Sequence, residues 1–292
     1  MSTAVSTPAP FPGTDSEDSA QVTARRARRR RAELVWLGRI VLPIVVLGGW
    51  QLFTSVGIVD KFFFGQPTGI WHSLVELFTK GTAFGSVWLN IWVTIKEAIY
   101  GFFLGTFTGI ILGLLLGQNR LLSDIASPYI KALNSIPRII LGAIFTVAFG
   151  LGTFPKALLA AVLVFFIVFF NAFQGVREVD PNLVANVKIL GASPFQVARH
   201  VTIPSALTWI IASLHTAFGF AIIGALVAEV LGAQHGMGLV ITQAQGTFDN
   251  NTVFAAMAIM SVVTLIAEYL LSLLEKRVLA WRPPSRAEAQ AI

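Results

Sequence analysis

Long apolar runs separated by short polar breaks set the pattern of this chain. Six segments, at about 34–56, 90–117, 124–150, 156–176, 207–231 and 251–276, are predominantly apolar. Runs of roughly 20 such residues are long enough to cross a hydrocarbon core of about 30 Å as helices. The pattern therefore predicts an all-α membrane protein with six transmembrane helices. Within the first long break, "TGIWHSLVELFTK" (68–80) follows Pro67 and places Ile70, Trp71, Leu74, Val75 and Phe78 at helical spacing. Such a stripe fits an interfacial amphipathic helix or a cap packed on the ends of the spans.

The break at 179–206, "VDPNLVANVKILGASPFQVARHVTIPSA", has an internal order of its own. Asp180 stands as an N-cap with Pro181 at the first helical position, where its missing N–H costs nothing. Leu183, Val184, Val187 and Leu190 then form an apolar stripe. Gly191 stands where a helix ends in a left-handed turn. Ser193 and Gln196 have capping-box spacing around Pro194, which opens a second short helix. Pro204 predicts an extended Ile203 that closes the unit. A mere connector needs neither the caps nor the stripe, so docking to a partner or to the bilayer surface is expected.

Composition narrows the chemistry. Of 292 residues, 55% are hydrophobic and 12% charged, about half the charge density of a soluble domain. There is no cysteine, which removes disulfides and thiolate metal sites. The four histidines, His72, His200, His215 and His235, lack ligand spacing, so no metal site is expected. Neither GxxxxGK[ST] nor GxGxxG occurs, and GxSxG and HExxH are also missing. No catalytic residues and no cofactor are expected. Any ATP-driven step falls to another chain.

Charge sets the orientation. Of 21 Lys and Arg, only Lys61, Lys80, Lys96 and Lys156 fall outside or in an outer half-span when the N-terminus is inside, leaving 17 on the inner side. This is a strong positive-inside asymmetry, with both termini and the 179–206 break in the cytoplasm. Residues 1–33 read as a disordered basic arm, ending in "RRARRRR" (Arg25–Arg31) beside the first span. That cluster reads as a topology signal rather than a nucleic-acid site. The arm is too long and the span too extended for a cleavable signal peptide. Residues 34–282 form the membrane domain, and 283–292 a cytoplasmic tail.

The second span carries "GFFLGTFTGIILGLLLG", with Gly101, Gly105, Gly109, Gly113 and Gly117 at every fourth position. Such a ladder predicts close packing against another helix.

At this point the sequence resembles a family. "ANVKILGASPFQVARHVTIPSA" is similar to the cytoplasmic signature loop of permease subunits in ATP-binding-cassette importers. Gly191 and Ala192 match its Gly-Ala pair, and Ile203-Pro204 occupies its Leu-Pro position. "GWQLFTSVGIVDKFFFGQPTGIWHSLVELF", "NSIPRIILGAIFTVAFGLGTFPKALLA" and "LVAEVLGAQHGMGLVI" resemble the nitrate/sulfonate/taurine-type branch. The resemblance implies a type I ABC importer permease fold with a cytoplasmic coupling-helix loop, in a bacterial inner membrane. It implies ATPase coupling through Leu190, Gly191, Ala192, Ser193, Phe195, Val197 and Pro204. It implies as partners ABC-type ATPase subunits, an extracytoplasmic solute-binding protein and a second permease copy, a homodimer in preference to a heterodimer. The cargo class is a sulfonate-, taurine- or nitrate-like anion or a vitamin precursor. Ala185, Asn186 and Val187 depart from the family's Glu-Ala-Ala, and Thr208, Ser213 and His215 stand where the branch often has Pro, Gly and Arg.

Candidate pathway residues are His215, Glu229, Gln234, His235 and Gln243. Glu229, near the end of the fifth span, is costly in lipid and reads as an outer-vestibule group or a structural hydrogen-bonding one. The glycine-rich 232–250 stretch reads as irregular backbone beside an outward cavity. The alternative reading is a self-contained secondary transporter or channel. It requires deep ion-coupling acids and internal repeats, whereas only Glu97, Glu229 and Glu268 lie in or near spans.

Overall fold

A computed structural model describes residues 14–278, all but one isolated bridge of it helix, turn or loop. The expected tail at 283–292 lies outside the described residues. The chain divides into two compact units, one up to Pro67 and one from Thr68 onward.

The first unit holds α1 (Thr14–Val56) and the short α2 (Lys61–Phe64), whose N-cap Asp60 accepts from the Phe62 N–H at 2.8 Å. α1 begins inside the arm expected to be disordered. From Thr14 to Arg31 the chain has no Gly or Pro and is rich in Ala and Arg, so intrinsic helix propensity overrides the polar composition.

The second unit runs α3 (Pro67–Thr79), α4 (Val87–Gln118), α5 (Arg120–Ser135), α6 (Arg138–Phe149), α7 (Thr153–Arg177), α8 (Pro181–Ile189), α9 (Pro194–Val197), α10 (Ile203–Leu231), α11 (Met237–Gly246) and α12 (Asn250–Val278). Among the described residues, five helical stretches are long and apolar enough to cross a membrane, or six if α5 and α6 are taken together as one span. The third span expected at 124–150 is a bent pair of helices. α5 and α6 meet at a bend of 83°. Pro137 lacks the N–H that would continue α5 and holds Ile136 in an extended conformation with ψ 128°.

α7 lies between α4 and α10. A Cβ added at Gly105 would stand 2.4 Å from the Ala161 carbonyl, and one at Gly101 2.7 Å from that of Ala157. Gly109, Gly113 and Gly117 meet Phe165, Phe169 and Val176 of the same helix just as closely. The ladder thus faces α7 along its whole length, and α7 answers with Ala160, Val164, Val168, Ala172 and Val176, also four apart. Interdigitating i±4 rows bring two backbones together, and in lipid this packing holds helices in place of a hydrophobic drive. On its other side α7 meets α10, where Gly224 lies against Ala160 and Gly175 against Ala206. Gly105→Val is expected to cost about 1–3 kcal/mol through overpacking and to lower the yield of monodisperse protein after heating. Gly38→Ala, with nothing within 4 Å, is the neutral control.

α3 packs part of its stripe on the core of its unit and leaves part of it open. Leu77 is buried, with Ile70 and Leu74 packed against the core, while Trp71, Val75 and Phe78 stay exposed.

Candidate functional site

The 179–206 break is a pair of helices fixed by local hydrogen bonds. Asp180 Oδ1 accepts from the Asn182 N–H at 2.8 Å, and Pro181 opens α8. At the other end of α8, Gly191 has φ +87°, its N–H bonds the Lys188 carbonyl at 2.9 Å, and the Ala192 N–H bonds that of Val187 at 3.2 Å. These two bonds form a complete Schellman turn, which requires the left-handed residue that glycine supplies. α9 then starts with a reciprocal capping box. The Ser193 N–H donates to Gln196 Oε1 at 2.7 Å, and the Gln196 N–H to Ser193 Oγ at 3.3 Å.

Those caps hold up an apolar tip. Leu190 is 86% exposed and Phe195 71%, with Ile189 beside them and Gly191 and Ser193 exposed at the turn. Ala192, Val184 and Val187 are half-buried. Val197, named among the contact residues, is only 6% exposed and secures the loop from beneath. The extended Ile203 expected before Pro204 is also corrected. Ile203 is helical (φ −64°, ψ −48°), and a π-helical turn over Ala198–Thr202 carries α9 directly into α10. The wider turn, in which the Ile203 N–H reaches the Ala198 carbonyl, absorbs the N–H that Pro204 lacks. Pro204 therefore joins the loop rigidly to α10 rather than forming its surface.

A second cluster lies at the opposite end of α7 and α10. Among the described residues, Glu229 is fully buried and accepts two hydrogen bonds, from Thr94 Oγ1 at 2.7 Å and from the Gly238 N–H at 2.6 Å. The Gly236 N–H donates to Asn90 Oδ1 at 2.8 Å and the Met237 N–H to Thr94 Oγ1 at 2.9 Å. Three consecutive N–H groups at the start of α11 are thus satisfied by side chains of α4 and α10. Helix starts leave such donors orphaned and favour a negative charge, which Glu229 supplies. Gly236 and Gly238 leave no room for a side chain, since an added Cβ would fall 2.2 Å and 2.7 Å from Glu229. The irregular backbone expected over 232–250 is accordingly a sharp turn followed by an ordered helix.

Glu97 and Lys156 complete this cluster. Glu97 is buried beside Glu229 with its Oε2 unpaired, and Lys156 lies near both carboxylates without a contact ion pair among the described residues. Its ammonium donates to the Leu151 carbonyl, and the side chain is wholly buried. Sequence reasoning placed Lys156 outside or in the outer half of a span, without a partner, and gave Asn90 and Thr94 no role. A readable signal existed: Asn90, Thr94 and Glu97 sit at i, i+4, i+7, a polar stripe inside an apolar span. Glu229→Ala is expected to leave the Gly238 N–H without its acceptor, costing about 1–3 kcal/mol, while the Thr94 hydroxyl keeps the Asn90 carbonyl at 3.1 Å. Thermal unfolding in detergent and protease nicking within 232–246 read the effect.

The five expected pathway residues do not form one site. Glu229 is enclosed rather than lining an opening. His215 pairs with Glu275 of α12 at 2.5 Å. Gln234 is exposed at the α10–α11 turn, where His235 Nδ1 meets the Phe84 carbonyl at 3.0 Å. Gln243 lines a separate recess of about 240 Å³ with Glu76, Lys80 and Asp249.

Comparison with known proteins matches residues 105–280 to the family described as "Binding-protein-dependent transport system inner membrane component". The chain is 30% identical to a putative aliphatic sulfonates transport permease protein of Bacillus subtilis, over 92% of this chain and 96% of that one. It is also 30% identical to the riboflavin transport system permease protein of Chloroflexus aurantiacus, over 89% and 96%. Its fold resembles that of an inward-facing methionine ABC transporter with a TM-score of 0.57 at 20% identity, covering 68% of this chain and 98% of that one.

Proposed function

The chain belongs to the family of binding-protein-dependent transport system inner membrane components, and from that premise we propose that the α8–α9 loop is where its ATPase docks. The protein is a permease subunit of an ABC importer, a multi-pass membrane protein whose family works with an ATPase and a solute-binding protein. The observation that carries the docking assignment is the rigid, doubly capped tip displaying Ile189, Leu190 and Phe195. Contact falls on Leu190, Gly191, Ala192, Ser193 and Phe195. Val197 and Pro204 act behind them, transmitting movement of the tip to α10, which is continuous with the loop.

In this reading the α8–α9 end and both termini are cytoplasmic, supported by the distribution of Lys and Arg, and the membrane is a bacterial inner membrane. Two copies of the chain enclose the pathway. An apolar recess of about 370 Å³ beside Leu104, Ile136 and Phe165 supports a helix of a second copy packing at the bend between α5 and α6. ATP-driven closure of the partner shifts the pair between outward- and inward-facing packings. The cargo is a small solute of the sulfonate or vitamin-precursor kind, by analogy with the sulfonate and riboflavin permeases. Deleting the gene in its own host and measuring uptake of radiolabelled taurine, an alkanesulfonate and riboflavin tests this. Loss of one of them, restored by the intact chain, is the expected outcome. Unchanged uptake of all three contradicts the cargo class.

A further inference from the structure

Behind the docking loop, the ends of α4 and α7, the start of α5 and the inner side of α8–α9 enclose a groove of about 750 Å³. Arg120, Arg177 and Lys188 line it, against a single acid, Asp124. All three cations are exposed, and none makes an ion pair among the described residues. Arg177 is nevertheless held in place. Its guanidinium donates to Ser123 Oγ at 2.9 Å and lies 4.4 Å from the centre of the Phe173 ring. An oriented guanidinium without a carboxylate is suited to bidentate recognition of a phosphate.

The two groups that hold Arg177 also line a second, smaller and mainly apolar pocket of about 140 Å³, with Leu116, Ile130, Phe169 and Phe170 around them and Ser127 and Lys131 at its polar side. A basic chamber thus adjoins an apolar one at the helix ends. Exposed Leu121, Ile125 and Tyr129 extend the apolar surface along α5. A free phosphate would use only the first chamber; an amphiphile would use both. Basic pockets between transmembrane helices on the cytoplasmic side select anionic headgroups.

We propose that this groove binds an anionic glycerophospholipid, its phosphate held by Arg120, Arg177 and Lys188 and an acyl chain lying along the Phe169–Phe170–Phe173 pocket. The site then lies on the cytoplasmic leaflet, which rests on the orientation given above. A lipid wedged behind α8–α9 stiffens the loop against the ends of α4 and α7.

The full-length chain alone, in nanodiscs of phosphatidylcholine doped with phosphatidylglycerol of the same acyl chains, provides the test, with bound lipid counted by native mass spectrometry. Each basic side chain near a charged headgroup is worth roughly fivefold in affinity. The three side chains together give an expected preference for phosphatidylglycerol on the order of a hundredfold, falling roughly 25-fold, to about fivefold, in Arg120→Gln/Lys188→Gln. Neither side chain has a hydrogen bond or ion pair to lose, so folding is preserved. Arg177→Lys keeps the charge and is expected to lose only the bidentate part. Equal retention of the two lipids, or an unchanged double variant, overturns the proposal. Displacement by 10 mM inorganic phosphate, which is on the order of ten-thousandfold above a micromolar Kd, also overturns it in favour of a soluble ligand. Because no ATPase is present, failure of docking leaves this result unaffected, and failure here leaves the docking assignment standing.

Discussion

Gly191→Asp is expected to reduce solute uptake to background while the chain still inserts in the membrane. The position has φ +87° and nothing within 4 Å of an added Cβ, so there is no clash to relieve. The conformational cost of a non-glycine residue there is about 1–2 kcal/mol, at the lower end for Asp, which visits the left-handed region more readily than most residues. That is too little to unfold a bundle held by the α4–α7 and α7–α10 contacts. What changes is the surface. A carboxylate enters between Leu190 and Phe195, which are both largely exposed, and a buried unpaired charge at an interface costs several kcal/mol. Initial uptake rates in vesicles carrying the whole transporter, with surface expression measured alongside, read this out. A drop of at least about a hundredfold at normal expression corresponds to the loss of about 2.7 kcal/mol or more of coupling. Gly191→Ala, with the backbone cost but no charge, is expected to keep a substantial part of the activity.

Lys156→Met is the second substitution with a large expected effect, and it acts on stability. Lys156 is wholly buried near Glu97 and Glu229, two neighbouring buried carboxylates. Removing the one cation leaves two buried acids facing each other, and breaking such an arrangement costs on the order of 3 kcal/mol. For a chain of this size that is roughly 6–12 °C in apparent Tm. Glu97→Gln is the informative companion. If the cost is electrostatic, Lys156→Met/Glu97→Gln is more stable than the sum of the two single changes, by about 1 kcal/mol or more. Strict additivity, or a Lys156→Met chain as heat-resistant as its parent, would show that Lys156 only fills space. The consequence extends to α11, because the same Glu229 holds the Gly238 N–H.

These two sites were not equally legible in the sequence. The docking loop was, because Asp180–Pro181, Gly191 and Ser193–Gln196 act through hydrogen bonds no more than five residues long. The glycine ladder was legible as a packing face, although its partner helix was not. Prolines were read less well. Pro137 stands inside an apolar run and breaks it, whereas Pro204 looks like a stop and is carried through by a π-helical turn. Whether a helix bends or absorbs a proline depends on what the freed carbonyls find nearby, which is a tertiary question. The buried cluster was the least legible. Its bonds join Asn90 and Thr94 to Gly236, Met237 and Glu229, more than 130 positions away. A lysine three residues into an apolar helix looks like a flank until its neighbours are known. The same holds for the pathway residues: His215 and Glu229 were singled out as polar groups in spans, and each proves to be occupied by a structural partner.

The central claim is that the α8–α9 tip receives an ATPase, and one measurement tests it most directly. The tagged chain, extracted in mild detergent from its own host, is analysed by mass spectrometry for what co-purifies, with Gly191→Asp in parallel. The account predicts an ABC-type ATPase in near-stoichiometric amount with the parent chain and its loss with the variant. Recovery of no ATPase, or equal recovery with both chains, would contradict the assignment of the loop.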